Sequence, residues 1–287
     1  MNQPHADGKS VSTSQDVLVG FAGLATSLVT ALILWRMELA LDFAFYSWMF
    51  WFVIPVGAIL SGFAGASGYY AGARLFNHRP TRLLLLNIIL ASVATFLMIH
   101  FLSYVTLSID GTAVRDRISF LQYLDLSIQS TSMEFRYRTT ELGGTGQLGG
   151  LGYGVASLQV LGFALGGLAV YGYLTSVPYC DTCSRYFANK GKRIRFTSDA
   201  EALHASTAQV LTDIQQGAIA SAVEGHGRHG NTKYQKGNHL KSVVEVRYCA
   251  NCGKHWVKHV VEKLSGSDWK EIPDLTAEIF TKELVEI

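Results

Sequence analysis

Four cysteines occur in this chain of 287 residues, and they form two Cys-x-x-Cys pairs, Cys180/Cys183 and Cys249/Cys252. Two residues between cysteines let one tight turn offer both sulfurs to a single ion, and zinc takes four tetrahedral ligands. The set reads as one structural zinc site with Cys180, Cys183, Cys249 and Cys252 as its metal ligands. A catalytic zinc keeps one position open; four thiolates fill the shell. A redox role would need one pair acting alone in a thioredoxin-like unit, and the presence of two pairs argues against it.

The elements around the cysteines must close that site across a long gap. Common ribbons separate their pairs by about 15–20 residues, whereas 65 lie between Cys183 and Cys249. An insertion must therefore loop out and return. Arg193 to Phe196 alternates like a strand leaving the first knuckle. Ser198-Asp-Ala-Glu201 has the form of a capping box, from which a helix runs to about Val223 with Leu203, Val210, Leu211 and Ile214 on one face. Gly225 to Gly237 reads as a polar, glycine-rich loop. Leu240 to Tyr248 alternates into the second knuckle, and Trp256 to Leu264 leaves it as the partner strand. Trp256 is expected to pack there, flanked by His255 and His259. This strand–knuckle–strand resembles a zinc ribbon over about 180–187 and 240–264. The resemblance implies a metal and a small α+β fold with a helical insertion; it implies no activity. Leu275 to Leu284 is expected to form a short amphipathic helix.

Upstream of the cysteines the composition changes. The chain is 49% hydrophobic and 16% charged, against about 25% charged in soluble domains, and the charge is concentrated after residue 178. Four stretches reach the roughly 20 apolar residues that cross a bilayer, near 17–35, 48–73, 83–109 and 152–177. The fold class expected is an α-helical membrane domain (17–178, after a flexible N-terminus 1–16) joined to a cytosolic zinc-ribbon-like domain (179–287). The first span has a weakly basic flank and no small-residue cleavage site after Trp35, so it reads as retained. Arg74, Arg79 and Arg82 crowd the loop between spans two and three, and Arg185, Lys190, Lys192, Arg193 and Arg195 follow span four. Basic residues collect on the cytoplasmic side, which puts both termini inside at the inner (plasma) membrane. The cysteines agree, because thiolates persist in a reducing cytosol.

Within the spans, Pro55 is expected to bend span two behind the aromatics Trp48, Phe50, Trp51 and Phe52. Small residues recur at Gly57, Ser61 and Gly65, at Gly68 and Gly72, and at Gly162, Gly166, Gly167 and Gly172, spacing that lets helices approach closely. They suit packing of span two on span four; a homo-oligomer seam or a lined pore is the alternative. His100 and Gln159 are placed to hydrogen-bond across helices, and no carboxylate lies mid-span. Segment 36–47 is either an interfacial helix or an extension of span one. The outer loop 110–151 reads as a cap: a hairpin turning at Asp110-Gly111, a helix over 118–130, a strand at 134–138, and a flexible glycine run, 143–154, without the ending of a phosphate loop.

Function is less legible than architecture. The composition favours a non-enzymatic scaffold or sensor that presents the zinc domain to a cytosolic protein partner or ligand. A small channel or transport component gated by the tail is the second reading. A membrane enzyme using His100, or Arg115, Asp116, Arg136 and Glu141, is the third. The acid-free run 225–241, with His226, Arg228, His229, Lys233, Lys236, His239 and Lys241, could meet anionic lipid or nucleic acid.

Overall fold

The computed structural model describes residues 13–41, 43–51, 53–137, 140–216, 218–226 and 231–281. The chain divides into two compact units, Met1–Ser176 and Val177–Ile287.

The first unit is helical. Its helices are α1 (Thr13–Leu41), α2 (Val56–Leu75) and α3 (Arg82–Thr106), followed by strands β1 (Ser108–Ile109) and β2 (Thr112–Ala113), helix α4 (Phe120–Ser130), strands β3 (Ser132–Tyr137) and β4 (Thr140–Gln147), and helix α5 (Leu151–Ser176). Among the described residues, Gln15–Leu41, Arg82–Thr106 and Leu151–Ser176 are long and apolar enough to cross a membrane. Helix α2 has 20 residues, but five are Gly and five Ala, so its length suffices while its hydropathy does not.

Several boundaries differ from those expected. Residues 13–16 belong to α1; 1–12 lie outside the described residues. Helix α1 continues through Arg36–Leu41, because Met, Glu, Leu and Ala are strong helix formers, and only a 3-10 turn at Phe45–Ser47 follows. Pro55 starts α2 and does not bend it. It lacks an N–H and holds Ile54 extended, and Ile54 bridges to Phe50, so residues 48–51 and 53–55 are loop rather than helix.

Helix α2 packs mainly on α1 and α5. A Cβ at Gly62 would strike the backbone of Phe163, and one at Gly166 the backbone of Ile59 and Phe63. Ala58 faces Gly162 and Tyr70 stacks near Tyr173, so α2 and α5 run parallel. On α1 the pairing is antiparallel: Gly68 sits against Ala22 and Thr26, and Gly72 against Val19. Thr26 Oγ1 donates to the Gly65 carbonyl at 2.7 Å and accepts from Gly68 N–H at 3.1 Å. His78, in the loop after α2, is buried and pairs with Asp16 near the start of α1. Those two ends therefore share one end of the bundle.

The cap follows the expected outline with one correction. Asp110 and Gly111, both at positive φ, turn the β1–β2 hairpin. Ser119 and Gln122 close a capping box on α4. The glycine run expected to be flexible is strand up to Gln147, paired with β3. Gly146, at φ +68°, occupies the bulge between Gly144 and Gln147, a conformation that glycine adopts without strain.

The second unit is a sheet with two helices on one face. A short hairpin, β5 (Tyr179–Cys180) and β6 (Arg185–Tyr186), leads into β7 (Ala188–Thr197). Helices α6 (Ala200–Gln216) and α7 (Ile219–His226) are followed by β8 (Leu240–Tyr248), β9 (His255–Ser265), β10 (Asp268–Glu271) and β11 (Ala277–Thr281). Strands β7, β8 and β9 are antiparallel neighbours, and β10 and β11 share the outer edge of β9. The 3-10 turn Pro273–Leu275 interrupts that edge and brings Ile272 and Leu275 onto Leu203, Leu240 and Val261. Val210, Ala222 and Val223 of the helices cover Val244, Val246 and Val257.

Three local expectations change here. Asp199, not Ser198, caps α6: its Oδ1 accepts from Ala202 N–H at 2.9 Å. The single helix to Val223 is two helices that break near residue 218, and α7 absorbs Gly225 and His226 from the presumed loop. Residues 277–281 are strand, not helix, because their alternating burial fits the free edge of β9; 282–287 lie outside the described residues.

Candidate metal centre

Both Cys-x-x-Cys pairs sit in turns that the sheet brings together. Cys180 ends β5, whose pairing with β6 (Cys180 opposite Arg185) folds the first turn back, with Ser184 at φ +49°. The second turn closes through Cys249 N–H to the Lys254 carbonyl at 2.7 Å and Gly253 N–H to the Cys249 carbonyl at 2.9 Å. Gly253, at φ +68°, lets the chain reverse after Cys252. Arg185 Nη1 donates to Asn251 Oδ1 at 2.7 Å and ties the turns together.

The four sulfurs lie within 4.8 Å of one another, and Cys180 and Cys252 are 3.8 Å apart. A tetrahedron built on Zn–S bonds of about 2.3 Å has edges of about 3.8 Å, so the cluster has the size of a four-thiolate metal site. Cys180 and Cys249 are buried with Phe187 and Trp256, Cys183 packs beside them, and Cys252 is exposed. Trp256 Nε1 donates to Glu278 of β11 at 2.6 Å, and Arg247 lies over its ring. The last strand thus braces the packing residue of the centre.

The thiols of the cluster are shifted in opposite directions. In the thiol form, contact with Cys252 and then burial push Cys183 up to about 12. Burial also pushes the Cys249 thiol up, but backbone N–H groups of Cys252 and Asn251 outweigh it and hold this sulfur at about 7. A metal displaces these protons, so binding weakens as pH falls.

Other residues singled out from the sequence separate. His100 is buried edge-on against Phe96 (4.7 Å) and Tyr46 (6.0 Å). Gln159 donates to Ser47 Oγ at 3.0 Å; the expected bond to His100 is replaced because the 3-10 turn places a hydroxyl nearer. Arg115 and Asp116 form an exposed pair at 3.9 Å. Arg136 and Glu141 are register partners in β3–β4.

The basic run 225–241 is split. His239, Lys233 and Lys236 are exposed, Lys241 pairs with Glu262 and lies over Trp269, and Arg228 and His229 fall outside the described residues. His226 is only 5% exposed. Its Nε2 lies 2.9 Å from Ser242 Oγ, which is 3.0 Å from His259 Nε2. Burial lowers both imidazoles to about 4, helped at His226 by His259 and the nearby arginines. Sequence spacing missed this chain; the signal available was strand parity, which sets Ser242 on the helix-covered face with Val244, whose register partner is His259.

Comparison with protein families, curated proteins and solved structures finds no match for this chain.

Proposed function

We propose that this is a four-span membrane protein whose cytosolic domain holds one structural zinc ion and presents a partner- or ligand-binding surface, without catalysis of its own. The convergence of all four sulfurs within 4.8 Å carries the metal assignment, and four filled positions favour structure over catalysis. The fourth span is α2. Its 20 residues extend about 30 Å, and it packs parallel to α5 and antiparallel to α1, as alternating crossings require. Basic residues after α2 and after α5 favour termini on the cytosolic side. The glycines that could line a pore meet backbone of neighbouring helices at Gly62, Gly68 and Gly166, which favours a packed anchor over a channel.

The experiment is thiol accessibility in intact cells producing the full chain. A membrane-impermeant maleimide should label Cys252 only after permeabilisation. Labelling from outside would reverse the orientation.

A further inference from the structure

Strand β7 borders its sheet: it pairs with β8 on one side, and no described strand lies on the other. It is ten residues long, and an open edge of that length is a template for a further strand. One contact shows which of its backbone groups are open. Phe196 N–H donates to the Asn231 carbonyl and the Phe196 carbonyl accepts from Asn231 N–H, each at 2.8 Å, on the side away from β8. Along an extended strand the groups of every second residue point the same way, so those of Ile194 and Lys192 also face outward. Neither has a backbone partner there among the described residues. Asn231 is an isolated bridge, so it takes up only the Phe196 end. At the other end the ladder with β8 shifts register between Asn189 and Gly191, which leaves 191–195 as the regular open length.

The side chains along this edge are basic. Lys190, Lys192, Arg193 and Arg195 occur between Ala188 and Thr197, with no acid among them. Lys192 is exposed, and its register partner on β8, Glu245, is held by Arg247 at 2.6 Å. On the same sheet face Ile194, Val243 and Val260 are register partners and form one apolar row across three strands. Arg193 is opposite Val244 and Arg195 opposite Ser242, so both lie on the face that α6 and α7 cover; both are half-buried. These charges discriminate between occupants. A second copy of β7 laid against the first would set lysine and arginine against lysine and arginine, which is unfavourable across a strand pair, whereas opposite charges there are favourable. In strand addition the main chain supplies affinity and the alternating side chains supply specificity.

We propose that the open edge of β7 receives an extended acidic segment of another protein as an added strand. The addition is antiparallel, like every strand pair in this sheet. The residue of that segment opposite Ile194 is apolar and continues the row of Ile194, Val243 and Val260. Those opposite Arg195, Arg193 and Lys192 are Asp or Glu. Read from its N-terminus, the recognised motif is acid, apolar, acid, acid. This deepens the partner-binding reading given above, on which it rests, by naming the surface and the chemistry of the partner.

The test uses the full-length protein in detergent and a fluorescent, end-capped synthetic peptide, Ser-Glu-Val-Glu-Glu-Val-Ser. By fluorescence anisotropy it should bind once per chain, and it should protect the Lys192 and Ile194 amides from hydrogen exchange. The peptide with lysine at each glutamate should bind about tenfold or more weakly. N-methylation of the first valine removes the N–H that meets the Ile194 carbonyl and should also cost about tenfold, the worth of one ladder hydrogen bond. Lys192→Glu, a change at an exposed side chain, should weaken the acidic peptide and strengthen the lysine peptide. Ile194→Pro deletes an outward N–H and leaves the bonds to β8 in place, the edge position where proline is tolerated, and should weaken the acidic peptide about tenfold. An N-methylated peptide that binds as tightly as its parent would show attraction of charge without strand pairing and overturn the proposal. Equal binding of acidic and lysine peptides, or no binding of the acidic peptide at about 1 mM, would do the same. A concentration-dependent dimer abolished by Ile194→Pro would make a second copy the occupant. Metal content and thiol labelling on the same chain keep the readings apart: no peptide binding, with zinc retained and Cys252 labelled only after permeabilisation, removes this surface and leaves the cytosolic metal domain standing.

Discussion

At the scale of single residues, the second unit rests on two buried polar groups of opposite habit. The cysteines want to lose protons to a metal; His226 and His259 want to stay neutral. The sign for the histidines follows from linkage. Both are held at about 4 in the fold, below the ordinary 6.5, so the unfolded chain binds protons first. Their contribution is complete above about pH 6.5 and is lost as pH falls from there toward 4. Each histidine adds up to about 1.4 kcal/mol per pH unit to that slope. Denaturant unfolding of His226→Gln between pH 7 and 4.5 should show a slope shallower by about one proton than the wild type. An unchanged slope would mean that His226 is not neutral and enclosed as described. Trp256→Ala should cost about 3–5 kcal/mol in the same assay, since Trp256 fills the space beside Cys180 and Cys249 and holds Glu278.

At the scale of elements, Gly62 and Gly68 of α2 and Gly162, Gly166 and Gly167 of α5 are set by contact. Gly62→Ala would press a methyl onto the Phe163 backbone, where nothing can yield, and should destabilise the helical unit by about 1–3 kcal/mol. Gly172, on the same α5 helix, has open space around it. Gly172→Ala should be neutral or stabilising by up to about 1 kcal/mol. Thermal unfolding in detergent compares them; equal effects would dissolve the α2–α5 seam. The same elements show how far the sequence was legible. Cys-x-x-Cys pairs, apolar runs and the alternation of 240–248 and 256–264 are local signals, and they led to the four-sulfur cluster, the long helices and the paired strands. What they missed was decided by distant partners. Residues 277–281 fit a short helix until the open edge of β9 is known. His226 looked like one more charge in an acid-free loop until Ser242, from strand β8, was set against it. Pro55 marked a change in helix direction, and only the Phe50–Ile54 bridge shows that the helix starts there.

At the scale of the whole molecule, two units are built for two solvents. The first exposes leucines, phenylalanines and valines along α1, α3 and α5, a surface suited to lipid. The second surrounds a valine core with a charged sheet face and closes one end on four sulfurs. Small domains with limited cores lean on such staples, and binding of a structural zinc supplies about 10–16 kcal/mol in small modules. Chelation should therefore unfold the second unit cooperatively, seen as loss of protection of β8 and β9 amides in hydrogen exchange, while α1, α3 and α5 stay protected. Simultaneous loss in both units would argue against two separately stable bodies.

The most direct measurement is metal analysis of the purified full-length chain together with X-ray absorption at the zinc edge. One zinc per chain, bound by four sulfurs at about 2.3 Å and lost in Cys249→Ser, is the predicted result. A metal-free protein whose four thiols titrate freely, or whose cysteines are joined in disulfides, would contradict it.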